Sequence, residues 1–185
     1  MNTNEARILM HEWVRSEALR THMECVAACM SSYCKGSETE KDQWIVAGLL
    51  HDFDYEKHPT TDEHPFVGVQ YLKKNTDTSE EIIQAILGHA PYSGIERKSD
   101  MAKTLFAVDE LAGFIVACAL IRPTGLEGMK AKSVIKKLKN KNFAAAVSRE
   151  DIIIGSEDLA IDLNEHIDTC IQAIVDAKIN IYPNE

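Results

Sequence analysis

The chain has 185 residues, 45% of them apolar and 26% charged, a length and composition that suit one globular domain with a real core. Its formal net charge of −9 argues against non-specific nucleic-acid or membrane partners, so an anionic substrate needs a local site such as a metal. No apolar run approaches the roughly 20 residues of a membrane-spanning helix, and the first residues show no basic stretch followed by an apolar one, so no signal peptide is expected.

Residues 4–15 carry Ile8, Leu9, Trp13 and Val14 at helical spacing, with Asn2 and Glu5 placed as a capping pair. Ser16 caps a second helix over about 17–34, whose inner face reads Leu19, His22, Val26, Cys29 and Tyr33. His22 thus sits on an apolar face. Gly36 ends that helix, and Ser37 with Glu40 opens a third, running to about His51. Its last turns are the apolar run Ile45 to Leu50, which delivers His51 and Asp52 side by side. Buried without partners, such groups cost a few kcal/mol each, roughly. A divalent metal satisfies both.

A loop follows from Phe53 to Thr61. Asp62 is expected to cap the fourth helix, with His64 and Pro65 in its first turn. Thr78 and Glu81 are expected to cap the fifth, in which Ile82, Ile83, Ile86 and Leu87 precede a terminal His89. Residues 90–99 read as a loop. A long apolar helix over about 100–121 holds one acidic pair, Asp109-Glu110. Six lysines crowd residues 129–141, a solvated face or an anion-binding patch. Ser148 with Asp151 and Asp162 with Glu165 cap the last two helices. No stretch alternates like a strand and no segment repeats. The expectation is an all-α fold of about eight helices. The five cysteines form no Cys-x-x-Cys pair and fit reduced thiols in a cytoplasm. Cys25 and Cys29 share a helical face with His22, where core filling outweighs a thiolate zinc site.

Four ligand-type side chains therefore lie on or beside apolar helical faces: His22, His51, Asp52 and Asp109. His64 and His89 stand between them in the chain. Imidazole and carboxylate donors suit iron, manganese, zinc, cobalt or nickel. Six such ligands make room for two ions bridged by a carboxylate.

The order His22, His51-Asp52, His64, His89, Asp109 resembles the H…HD…H…H…D signature of the two-metal branch of the HD-domain metal-dependent phosphohydrolase superfamily. The likeness extends to Leu19-Arg20-Thr21-His22, Gly48-Leu49-Leu50-His51-Asp52 and Ala107-Val108-Asp109-Glu110-Leu111. It implies a single HD-domain helical bundle over residues 1–185, with a metal-binding core at about 15–121 and a C-terminal helical extension at about 122–185. It further implies that His22, His51, Asp52 and Asp109 bind one ion, and that Asp52 bridges to a second held by His64 and His89. One or two ions of iron, manganese, zinc, cobalt, nickel or magnesium would serve. His51 and Asp52 would be the catalytic centre, where a metal-activated water attacks a small phosphorylated metabolite or nucleotide. The same ligand order also occurs in HD-domain mixed-valent di-iron oxygenases, and a non-catalytic nucleotide-binding domain is a third reading.

Asp54 is placed to orient a ligand imidazole, to cap its loop or to contact the substrate. Arg97 and Lys98, in the loop after His89, are expected to hold the non-reacting end of an anionic substrate, with Lys103 as a further cation. Glu110 points about 100° away from Asp109 on a helix and reads as a solvent or supporting group. His11, His58 and His166 read as surface positions.

Overall fold

The computed structural model of the protein describes residues 1–182 and shows nine α-helices and no strand among them. The all-α expectation holds. α1 (Thr3–Trp13), α2 (Glu17–Tyr33) and α3 (Glu38–Leu50) begin at Asn2, Ser16 and Ser37, each accepting a hydrogen bond from a first-turn amide. In α1 and α3 the glutamate three residues on returns the bond to the cap's own N–H, so two otherwise unpaired donors are satisfied at each end.

α2 and α3 meet where Gly48 lies against Ala27. A Cβ at Gly48 would stand 2.6 Å from the Ala27 Cα, a contact no side chain tolerates. Glycine therefore sets the spacing between the helices that carry His22 and His51.

α4 (Phe66–Asn75) starts later than the sequence suggests. Asp62 does not cap it; the first helical residue follows Pro65, which offers no side-chain cap. A proline disfavours the helical region for the residue before it, so the helix cannot run back through His64. Residues 61–65 form turns instead, with the His64 N–H bonded to Thr60 O at 2.9 Å. α5 (Glu80–His89) is capped by Ser79, one residue past the expected Thr78, whose hydroxyl pairs with that of Thr76 at 2.7 Å.

α6 (Asp100–Leu120) is the axis of the molecule. Leu105, Val108, Leu111, Ala112, Phe114, Ile115 and Ala119 are buried, and the helix is apolar nearly all round because α2, α5, α8 (Arg149–Asp158) and α9 (Leu163–Asp176) enclose it. Gly155 of α8 lets that helix close on Ala107, where a Cβ would come within 2.5 Å of the Ala107 Cα. α7 (Ala131–Leu138) carries the lysine-rich segment; it buries Ala131 and Val134 and leaves Lys132, Lys136, Lys139 and Lys141 in solvent. No helix among the described residues is long and apolar enough to cross a membrane.

His166 is not a surface residue. It is fully buried on α9, where its Nε2–H donates to Ala107 O (3.0 Å) and its Nδ1 accepts from the Tyr33 hydroxyl (2.6 Å). Burial lowers its pKa, which keeps the ring neutral. The helical spacing that buries Ile167, Cys170, Ile171 and Ile174 places position 166 on the same face. The result is a polar tie from α2 through α9 to α6, two residues before Asp109.

Candidate metal centre

Six side chains from five elements converge beside α6. His22 comes from the middle of α2, His51 from the C-cap of α3, Asp52 from the residue after it, His64 from the turn before α4, His89 from the last residue of α5, and Asp109 from mid-α6. All six ligand-type residues expected from the sequence are brought together.

Asp52 divides the cluster. Its Oδ2 faces His51 Nε2 at 3.6 Å and His22 Nε2 at 4.0 Å. Its Oδ1 faces His64 Nε2 at 3.2 Å and His89 Nε2 at 3.3 Å. Asp109 Oδ1 completes the first group, 2.9 Å from His22 Nε2 and 3.4 Å from His51 Nε2. His22, His51 and Asp52 form one set able to hold a metal ion, and Asp52, His64 and His89 form another.

The outer nitrogens show what the inner ones can do. The His51 Nδ1–H donates to Gly48 O at 2.8 Å, the His89 Nδ1–H donates to Ile86 O, and the His64 Nδ1–H donates to Asp54 Oδ1 at 2.7 Å. Each donation leaves a lone pair on Nε2. The His64 and His89 lone pairs point at one another across 3.3 Å, and that of His51 faces His22 Nε2 at 3.2 Å. Facing acceptors repel unless a cation or a proton lies between them. The donor set of neutral imidazole and carboxylate therefore fits a divalent first-row ion on either side of Asp52.

Without a metal, protons take that place. Burial opposes a charged His51, but Asp52 and Asp109 outweigh it and raise its pKa to about 9. Burial likewise opposes a charged His64, yet Asp52 and Asp54 raise it to about 9 as well. Asp52 and Asp109 are buried, which alone would raise them, but the surrounding imidazoles hold both well below the usual carboxylate range. Unfolded histidine titrates near ~6.5. Below that pH, both folded and unfolded chains carry the proton, and the ion pairs stabilise the fold in full. Between about 6.5 and about 9 only the folded chain stays protonated, so this contribution is progressively lost as pH rises. The melting temperature of chelator-treated protein should therefore fall between pH 6.5 and 9. A bound cation replaces the protons, so metal-loaded protein should not share that fall. Parallel melting curves for the two forms would contradict the assignment.

Asp54 orients the His64 imidazole. It is fully buried, its Oδ1 holds His64 and its Oδ2 accepts the Gly68 N–H at 2.7 Å. A carboxylate behind a ligating imidazole fixes its tautomer and raises its basicity. Asp54→Asn keeps the shape and removes the charge. It should weaken metal binding on the His64–His89 side by roughly 10- to 100-fold, while the His22–His51–Asp109 side keeps its affinity. Two-site calorimetric titration separates the two.

The centre opens into a cavity of about 660 Å³. Tyr55, Pro91, Tyr92, Phe106 and Val147 give it an aromatic and apolar wall, and Asp52, Asp109, Glu110 and Asp151 contribute carboxylates. Arg97, Lys98, Lys103 and Asp54, the four residues expected to contact substrate, are not among its lining residues. Arg97 is held by Asp158 (2.9 and 3.0 Å) and lies over the Phe106 ring, 3.7 Å from its centroid. Lys98 is exposed beside Glu96. Lys103 faces a different cavity, shared with Tyr33, Trp44 and Asp158. His58 bonds to Glu63, and His11 is exposed. Glu110, read from the sequence as a solvent or supporting group, lines the cavity, and its Oε2 accepts the Ser148 N–H at 3.1 Å. Burial, with Asp109 beside it, pushes its carboxyl up to about 7. Asp151 and Tyr92 escaped sequence reading because a helix-cap position and a loop aromatic carry no signal of their own.

No curated protein and no solved structure matches the chain. A family model described as HD domain matches residues 19–113, a span that begins three residues before His22, ends four after Asp109 and holds all six converging side chains. That match covers more than half of the sequence, and with the His/Asp cluster just described it shows that the chain belongs to the HD-domain family of metal-dependent proteins.

Proposed function

We propose that the protein is a metal-dependent phosphohydrolase that acts on a small phosphorylated metabolite. The observation that carries this reading is the division of Asp52, one carboxylate oxygen toward each histidine pair, at the floor of a cavity of about 660 Å³. On this reading His22, His51, Asp52 and Asp109 hold one ion, and Asp52, His64 and His89 hold another. A bound divalent ion supplies a Lewis acid for the phosphoryl oxygens and brings the pKa of a water toward neutrality.

The chain's own groups do the rest. The Gly48 and Ile86 carbonyls and the Asp54 carboxylate keep the Nε2 atoms of His51, His89 and His64 aimed inward. The cavity wall of Tyr55, Tyr92, Phe106 and Val147 takes the carbon portion of the substrate. Water adds to phosphorus, the ester P–O bond breaks, and the alcohol leaves with a proton, so no serine or cysteine nucleophile is required. The charge of −9 and a cavity of about 660 Å³ favour a small molecule over nucleic acid or a membrane surface. Five free cysteines, four of them buried, fit a reducing cytoplasm.

The test is phosphate release from a panel of phosphomonoesters, including p-nitrophenyl phosphate, by protein reconstituted with manganese, iron, cobalt or zinc. Metal-dependent release that persists without oxygen supports the proposal. Oxygen consumption with no phosphate release would replace it with di-iron oxygenase chemistry.

A further inference from the structure

The lining of the cavity is one-sided. It holds four carboxylates, from Asp52, Asp109, Glu110 and Asp151, and no lysine or arginine. Asp52 and Asp109 belong to the metal centre. Glu110 and Asp151 do not touch the histidines. Glu110 Oε2 takes the Ser148 N–H, while its Oε1 and both oxygens of Asp151 have no hydrogen-bond or ion-pair partner among the described residues. Asp151 uses only its backbone N–H, which donates to the Ser148 hydroxyl at 3.2 Å.

The nearby protein cations are committed elsewhere. Arg97 is bound to Asp158 and lies over the Phe106 ring. Arg149, which follows Ser148, turns away. Its guanidinium donates to the carbonyls of Ala144 and Val147, both at 2.6 Å, and to that of Phe143, and it lies over the Phe114 ring. Two ions at the metal centre are matched by Asp52, Asp109 and a phosphate dianion. Glu110 and Asp151 then remain as cavity-lining carboxylates with no protein cation paired to them, beside the aromatic rings of Tyr55, Tyr92 and Phe106.

We infer that the alcohol portion of the substrate carries a protonated amine, received by Glu110 and Asp151 against the aromatic wall. This rests on the phosphohydrolase reading. A second phosphate or a carboxylate in that place would meet like charge with no counter-ion, which disfavours nucleoside diphosphates and phosphorylated acids. Aromatic faces accept ammonium as well. Glu110 and Asp151 are thus specificity residues that act on the substrate's amine and not on its phosphorus.

Three esters of matched length test this: 2-aminoethyl phosphate, 2-hydroxyethyl phosphate and phosphoglycolate. Metal-reconstituted protein should favour the amine over the alcohol by about tenfold in kcat/KM, with the carboxylate last. In the double variant Glu110→Gln/Asp151→Asn, the amine preference should vanish through a raised KM, and phosphoglycolate should gain. Both replacements keep an oxygen at each position, so Ser148 retains its partner. An unchanged amine preference in the double variant, or a wild-type preference for the carboxylate, overturns the inference alone. Failure to turn over p-nitrophenyl phosphate with any metal overturns the hydrolase reading and this inference with it.

Discussion

Replacing Asp52 with alanine is expected to remove both metal sites at once and to lower turnover by more than about a hundredfold, roughly 2.7 kcal/mol of barrier. Asp52 faces all four histidines of the cluster, with Oδ2 toward His22 and His51 and Oδ1 toward His64 and His89. Without it the second set keeps two imidazoles only, and the first keeps two imidazoles and Asp109. The facing Nε2 lone pairs then have neither bridge nor shared counter-charge. Elemental analysis should find metal near zero, while circular dichroism stays helical because α3 and α6 are held by apolar packing. His64→Ala provides the contrast. It removes one ligand from one set and should leave about half the metal. Full metal occupancy in the Asp52→Ala protein would refute the bridging assignment.

The second large effect is structural. Gly48→Ala should cost about 1–3 kcal/mol through overpacking, because the new methyl would lie 2.6 Å from the Ala27 Cα and 2.8 Å from its backbone nitrogen. Backbone cannot swing aside as the end of a side chain can, so α2 and α3 must separate. At roughly 2–4 °C per kcal/mol for a chain of this size, melting should fall by about 2–12 °C. Separation also moves His22 from His51, so metal affinity should drop although neither ligand is touched. Gly113→Ala is the control. Its Cβ would meet nothing nearer than His22 Nδ1 at 3.7 Å, and glycine within a helix disfavours it by about 0.5–1 kcal/mol relative to alanine. That variant should melt higher. Equal losses in both variants would mean that the Gly48 contact does not set the helix spacing.

Much of the centre was legible because helical periodicity and burial are local properties. His22 stands out on an apolar face of α2, and His51-Asp52 stands out because six apolar residues precede it. The caps at Asn2, Ser16, Ser37, Ser148 and Asp162 were readable for the same reason: each bond spans two or three residues. Near Pro65, two local signals competed. An aspartate three residues ahead suggested a cap, while the proline's restriction on His64 excluded the helix, and the restriction prevailed. What sequence could not supply was pairing at long range. Arg97 reads as a free loop cation until Asp158, 61 residues away, is found beside it. His166 reads as an ordinary polar residue on an amphipathic helix until Tyr33 and Ala107 are seen on either side. Glu110 and Asp151 become neighbours only through the packing of α8 on α6.

The cavity is built from two separable parts. Most of its lining comes from the stretch that matches the HD-domain model, and Ala146, Val147 and Asp151 come from beyond that stretch. Substitutions at residues 146–151, the approach to α8 and its first turn, can redraw what the cavity admits without touching any of the six converging side chains. On the proposed phosphohydrolase reading, such a division lets selection retune substrate preference while the reaction chemistry stays intact. It also marks that turn as the place to begin if the protein is to be re-engineered for a different substrate.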